Sequence, residues 1–287
     1  MVSHKPNGRG KHRAKPRGGW LATAYVTAAL TTVALLATVG GSEGAMPLWV
    51  AGEKRAAPRP TPAPLPSVHI DHDGFLSWAL LDRNTGRISG SANLAAHSDT
   101  MSMIKSWIAA DYLRMAADGE IGEARLRQLR TMIRDSDNAA AQALFEAVGR
   151  RASIERLITT CGLTDSSPYR DWWSNTTISA RDTVRLGACI ADGRAAGPRW
   201  TGWLLDEMRQ VRGVGDFGVR LALPDPGRVA IKNGWLLREE DRLWHISCLA
   251  ITEEWVLGVL VRYPGALGFD YGATLCEKVG RQAVTAV

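Results

Sequence analysis

Away from its first seventeen positions, the 287-residue chain has no excess of charge of either sign. Six of its 35 basic residues, Lys5, Arg9, Lys11, Arg13, Lys15 and Arg17, supply the whole net charge of +6, and the other 29 are matched by 29 acidic ones. A balanced body offers nucleic acid no electrostatic footprint, so nucleic acid is not among the expected partners. Cysteine is scarce. Only Cys161, Cys189, Cys248 and Cys276 occur, in no zinc-ligand spacing, and neither a metal nor another cofactor is expected. No internal repeat is evident, and a hydrophobic content of 45% supports one packed domain with an appendage.

One stretch lacks charge altogether. WLATAYVTAALTTVALLATV, at 20–39, is twenty residues long, about enough to cross a bilayer core, and it follows the basic head. Positive charge on the inner side gives the expected layout: a cytoplasmic tail at 1–19, a single-pass anchor at 20–40, and the remainder outside the cell. A cleavable secretory signal is the alternative, in which case the chain is secreted, although no clear small-residue cleavage site follows. No cysteine lies near the segment to take a lipid. Either reading puts the cysteines in a compartment where disulfides persist. A Cys161–Cys189 bridge and buried free thiols both remain open.

Prolines at 58, 60, 62, 64 and 66 make 41–67 an extended spacer. The domain then spans 68–287, and a monomer is expected. FLSWALLD and RISGSA, split by Arg83, Asn84, Thr85 and Gly86, read as a β-hairpin. Helical periodicity follows near 101–117, 122–134, 137–148, 151–160, 180–192 and 200–211. VAIKNGWLL, RLWHISCLAI and WVLGVLVRY then read as an antiparallel meander, with a closing helix at 271–283. Strands at both ends and helices between them predict an α+β domain whose terminal strands share one sheet, packed with an all-helical subdomain.

Three short elements carry chemistry. In TMSMIKSWIAADYLR, Ser102 precedes Lys105 by three residues, so one helical turn brings amine and hydroxyl to the same region. A serine hydroxyl needs an adjacent base, and a lysine serves as one when burial and neighbouring cations lower its pKa. Downstream stand Ser136, Asp137 and Asn138, then Lys232, Asn233 and Gly234. Each has a plainer reading: an amphipathic helix for the first, a helix N-cap for the second, a solvated edge-strand lysine for the third.

Taken in this order, SxxK, SDN and KNG resemble the serine β-lactamases and penicillin-binding proteins, class A above all, whose trio is SxxK, SDN and KTG. The segments WALLDRNTGRI, LLDEMRQVRG, LALPDPGRVAIKNG and TTISARDTVRLGACI extend the resemblance over about 70–285. The resemblance implies a β-lactamase/transpeptidase-like fold. It implies Ser102 as the acylated nucleophile, Lys105 as its base, Ser136 as proton relay to the leaving nitrogen, and Asn138 as a substrate-positioning residue. Lys232 would hold a substrate carboxylate and help keep Lys105 neutral, Asn233 would donate to that carboxylate in place of threonine, and Gly234 would let substrate approach. The N–H groups of Ser102 and Trp235 would form the oxyanion hole, and the Trp235 side chain would narrow the cleft.

Two departures bear on the chemistry. The interval from Lys105 to Ser136 is short, which should reduce one wall of the cleft. In GLTDSSPYRDWWSNTTISA, where class A enzymes carry a glutamate that activates the deacylating water, there is none: no glutamate occurs between Glu155 and Glu207. Asp171, with Asn175 orienting a water, is the nearest substitute; a loop salt bridge from Asp171 to Arg170 or Arg181 is the plainer role. The expected function is a class A β-lactamase-like serine hydrolase acting on β-lactams or peptidoglycan-type amides. A DD-peptidase and a non-hydrolysing binding protein for penicillin or cell-wall fragments are the alternatives.

Overall fold

The computed structural model of the protein describes residues 67–284 except 118 and 171. The tail and the apolar segment at 20–40 fall outside the described residues, as does the linker up to 66. Among the described residues, no helix is long and apolar enough to cross a membrane.

The fold begins with strands β1 (Phe75–Asp82) and β2 (Ile88–Gly90). The middle six residues of FLSWALLD are buried, as befits a strand with neighbours on both edges. The expected hairpin forms, with Leu81 opposite Ile88 and Ala79 opposite Gly90. Asp82 shapes its turn by accepting the N–H groups of Asn84 and Thr85 at 2.8 and 3.2 Å.

Strand β3 (His97–Asp99) leads into a 3-10 turn, Met101–Ile104, and helix α1 (Lys105–Ala116). Helices α2 (Glu123–Arg134), α3 (Asn138–Ala147) and α4 (Arg151–Cys161) follow, then strand β4 (Thr177–Ser179) and helices α5 (Ala180–Ala191) and α6 (Pro198–Arg209). Local chemistry explains their ends. Asp137 caps α3 by accepting the Ala140 N–H, Ser179 caps α5 by accepting that of Asp182, and Pro198 opens α6. The cap of α3 is thus Asp137, not Ser136 or Asn138, whose side chains are free for other partners. Trp107, Ile108, Ala109, Ala110 and Leu113 on α1 are all fully buried, because α2, α3, α4 and α6 pack around it.

The last third supplies β5 (Ala230–Ile231), β6 (Gly234–Leu237), β7 (Leu243–Ile251), β8 (Trp255–Pro264) and helix α7 (Gly268–Val284). The sheet runs β2-β1-β8-β7, with β5 and β6 both paired to β7, and every pairing is antiparallel. VAIKNGWLL, expected as one run, is therefore two strands in one register: Ile231 lies opposite Ala250 and Gly234 opposite Ser247. Lys232 and Asn233 occupy the break between them.

Alternation along β7 and β8 divides the core. Leu249, Val256 and Gly258 face α5, where a Cβ at Gly258 would lie 2.7 Å from the Thr183 side chain; only glycine lets the helix settle there. Ile246, Cys248 and Tyr263 face α7. The result is an antiparallel sheet built from both ends of the domain, with helices on both faces.

All four cysteines are bridged, so the free-thiol alternative is corrected. Cys161–Cys189 ties α4 to α5 and Cys248–Cys276 ties β7 to α7, each over a sequence separation of 28. A loop of that length stabilises by about 3–4 kcal/mol on the chain-entropy account. The small β3–β4 sheet, with Ser98 opposite Ile178, was not expected from the sequence.

Candidate active site

The Ser102 turn is fixed by its neighbours on two sides. The Thr100 N–H donates to the Thr176 carbonyl at 3.0 Å, and the Ser247 hydroxyl of β7 donates to the Thr100 carbonyl at 2.6 Å. Met101 takes φ 46°, a left-handed conformation that costs a non-glycine residue free energy and persists only where its surroundings hold it. Gly234 explains how β6 comes so close. A Cβ there would lie 2.4 Å from the Ser102 nitrogen and 2.8 Å from that of Met103. Gly234 makes room for the backbone of the serine turn.

Register decides where the Trp235 N–H points. Lys232 donates its N–H to Leu249 at 3.1 Å and Arg238 donates to Leu243 at 2.9 Å, and bonding positions alternate along an antiparallel ladder. Positions 234 and 236 thus bond to β7, and the Trp235 N–H faces the other way, along the sheet edge that meets the Ser102 nitrogen.

Two buried amines meet at Ser136. Lys105 Nζ donates to the Ser136 carbonyl at 2.6 Å, to Asn138 Oδ1 at 2.7 Å and to Ser136 Oγ at 3.2 Å. It makes no bond to Ser102, where the helical spacing placed it. Lys232 Nζ reaches the same Ser136 Oγ at 2.9 Å and the Asn233 carbonyl at 3.3 Å. Both side chains are fully enclosed. Burial holds the Lys105 amine down at about 7, with the Asp137 carboxylate pulling it back up. Burial and then the charge of Lys105 push Lys232 well below the ordinary lysine range. Ser136 itself stands at φ 57°, a second strained residue at the same point. Such a cluster can hold one amine neutral at physiological pH beside a hydroxyl that exchanges protons with both.

The Lys232 amine is buried and donates to Ser136 Oγ, which lines the second cavity, so it stands directly behind that wall rather than in solvent on an edge strand. Asn233 differs from expectation. Asn233 is also buried, and its amide donates to the carbonyls of Phe217 at 2.8 Å and Gly215 at 3.2 Å. It pins the 213–217 segment to the sheet edge instead of facing substrate. Trp235 does line the cleft, braced edge-on against Phe217 and Phe269 at 5.8 and 6.2 Å between ring centres.

The segment that lacks glutamate carries tryptophan. Trp173 is buried, its ring centre 4.9 Å from Lys105 Nζ, and its indole N–H donates to Gln142 Oε1 at 3.2 Å. Trp172 stacks beside it at 6.5 Å and is half exposed. Asp171 lies outside the described residues. Arg181, one of its two expected partners, pairs with Asp165 at 2.7 Å. The Asn175 side chain accepts from the Ser174 hydroxyl. Sequence reasoning missed Trp173 and Gln142; the only signal was the WW pair inside an otherwise polar loop.

Two cavities of about 460 and 450 Å³ adjoin at Ser102, Asn138, Trp235 and Leu236. The first extends between Trp172, Trp173 and Met101, the second toward Ser136 and Trp244. Another cavity, about 620 Å³, lies at the opposite end of β7 near Arg228 and Glu253 and has no nucleophile.

The model of the beta-lactamase enzyme family matches residues 123–287. That span includes Ser136–Asn138 and Lys232–Gly234 and begins after Ser102 and Lys105. Among solved structures, L2 complexed with relebactam superposes with a TM-score of 0.59 at 22% identity, covering 73% of this chain and 90% of that one. A beta lactamase from Xanthomonas campestris gives 0.60 at 16%, covering 73% and 90%. Curated relatives in Mycobacterium tuberculosis and Mycobacterium bovis, each named "Putative lipoprotein LppW", are 29% identical over 189 residues, 62% of this chain. The match spans 60% of those relatives' length. The single-pass localisation expected from 20–40 is corrected: among the described residues no helix is long and apolar enough to cross a membrane, and the curated relatives are named as a lipoprotein. With more than half its length matched by that family's model, on an antiparallel sheet and helices of the same fold, the chain belongs to the beta-lactamase enzyme family.

Proposed function

We propose that the protein is a serine acyl-transfer enzyme in which β-lactam-type acyl donors esterify Ser102 and are released slowly. Ser102 Oγ adds to the strained carbonyl and its proton passes to the neutral Lys105 amine. The oxyanion lies against the N–H groups of Ser102 and Trp235, donors of a kind worth about 3 kcal/mol each in other hydrolases. Ser136, bonded to both lysines, returns a proton to the leaving nitrogen, and Asn138 positions the acyl side chain.

The observation that carries this reading is the enclosed Lys105 amine, brought down to about 7 and held at 2.6–3.2 Å by Ser136 and Asn138. Release needs a second base to activate water. On the side where a loop carboxylate would stand, the Trp173 ring packs over Lys105, and an indole accepts no proton. This favours a penicillin-binding protein over an efficient β-lactamase. The two disulfides fit work in an oxidising, extracytoplasmic compartment.

The test is intact mass of the protein after exposure to excess benzylpenicillin, with Ser102→Ala as control. A single adduct on Ser102, absent from the variant, is expected. Absence of any adduct together with no hydrolysis of a chromogenic cephalosporin would sink the proposal.

A further inference from the structure

Three residues before Ser102, at the end of β3, stands a carboxylate that the acylation steps do not use. The Asp99 carboxylate meets His245 Nδ1 at 2.9 Å and lies 3.1 Å from the Arg238 guanidinium. His245 is 2% exposed, and its other ring nitrogen meets Asp241 Oδ2 at 2.8 Å. Both ring nitrogens are therefore occupied by carboxylates, and His245 is no base for Ser102.

Register ties this contact to the serine turn. His245 and Ser247, two positions apart on β7, point to one face and grip consecutive residues of the incoming chain, the Asp99 side chain and the Thr100 carbonyl. Opposite them on β6 are Leu236, which lines the cleft, and Gly234, which abuts the Ser102 nitrogen. The turn that follows holds Met101 at φ 46°, a conformation that persists only under such restraint.

A neutral imidazole has one N–H and cannot donate to two carboxylates. The two acceptors are unequal: Asp99 is 18% exposed, whereas Asp241, in the turn between β6 and β7, is 40% exposed and open to water. Leaving the more enclosed oxygen without its donor costs more, so the proton that a neutral ring keeps is the one on Nδ1. Neither nearby arginine replaces it. Arg238 already pairs with Asp99 alongside the ring, and Arg262, opposite His245 on β8, lies over the Phe75 ring at 4.5 Å. Resting on the reading that Ser102 is acylated, we infer that His245 is a positioning residue: its Nδ1 N–H holds Asp99, and through it the Ser102 turn, in the geometry from which the serine attacks. Because that proton stays on the neutral ring, the grip persists as the ring titrates.

Two variants separate the ring nitrogens: His245→Asn presents an amide N–H near the position of Nδ1, and His245→Gln near that of Nε2. The readout is the saturating rate of adduct formation on Ser102 by benzylpenicillin, with its half-saturating concentration, from time-resolved intact mass. His245→Gln is expected to lower the saturating rate by about tenfold or more and His245→Asn by much less, with half-saturation within about twofold and one adduct per molecule reached in both. In the unsubstituted protein, nitrogen NMR should show Nδ1 protonated on both sides of the ring's titration. Equal rates in the two variants, a faster His245→Gln, a change confined to half-saturation, or an unprotonated Nδ1 would overturn the inference while leaving acylation of Ser102 intact. Neither adduct nor hydrolysis with the unsubstituted protein would overturn the acylation reading, and the inference with it.

Discussion

The cleft has two walls of different origin. One is the sheet edge, where Gly234, Trp235 and the Ser102 turn meet backbone to backbone and two buried lysines share Ser136. The other is the 163–176 loop, joined to that edge through the Thr100–Thr176 bond and the small β3–β4 sheet, which presents indole rings to Lys105. In the proposed reading the first wall serves acylation of the serine and the second its release. Among the described residues of the second wall, the group standing over Lys105 is an indole ring. On that reading acylation and release rest on separate elements, and one can be kept while the other is lost.

Breaking the first wall should give the largest effect. Lys105→Ala removes the base and is expected to slow adduct formation by about 10²–10⁴-fold, read by time-resolved intact mass. An unchanged rate would mean that Lys105 does not take the serine proton. Supplying the second wall with a base sharpens the contrast: Trp173→Glu should shorten the lifetime of the Ser102 adduct by about tenfold or more, while Trp173→Phe should not. The pH profile tests the first wall more gently. Because the neutral amine is the base, adduct formation should rise about tenfold per pH unit below about 7 and level off above it. Folding should show the linked effect. The Lys105 pKa is depressed in the folded state, so the unfolded chain holds the proton more tightly and stability rises as pH increases from about 7 toward the ordinary lysine range. Lys105→Met should flatten that rise. The smallest effect on rate belongs to the scaffold: replacing Cys161 and Cys189 by serine should cost about 3 kcal/mol of stability and leave adduct formation within about twofold, since that bridge ties α4 to α5.

Much of this was legible in the sequence because it depends on periodicity and spacing. The helices carried their stripes and caps, the terminal strands their alternation, and Ser102, Lys105, Ser136 and Lys232 their order. What was not legible depends on contacts between distant segments. A three-residue strand such as Thr177–Ser179 has too few positions to alternate, so β3–β4 left no pattern. Asn233 could be read only as a donor, and its acceptors, Gly215 and Phe217, lie sixteen to eighteen residues away. The close approach at Gly234 was hidden for the same reason, because the backbone it accommodates belongs to position 102. The missing glutamate was visible, whereas the indole standing over Lys105 was not, since nothing in DWWSN says which of its side chains turns inward.

The measurement that tests the central claim most directly is the lifetime of the acyl group on Ser102. After a short exposure to excess benzylpenicillin and removal of free ligand, intact mass should show one adduct on Ser102 that persists for hours. Rapid return to the unmodified mass with stoichiometric release of the hydrolysed ligand would contradict it, by showing that the loop wall supplies a base after all.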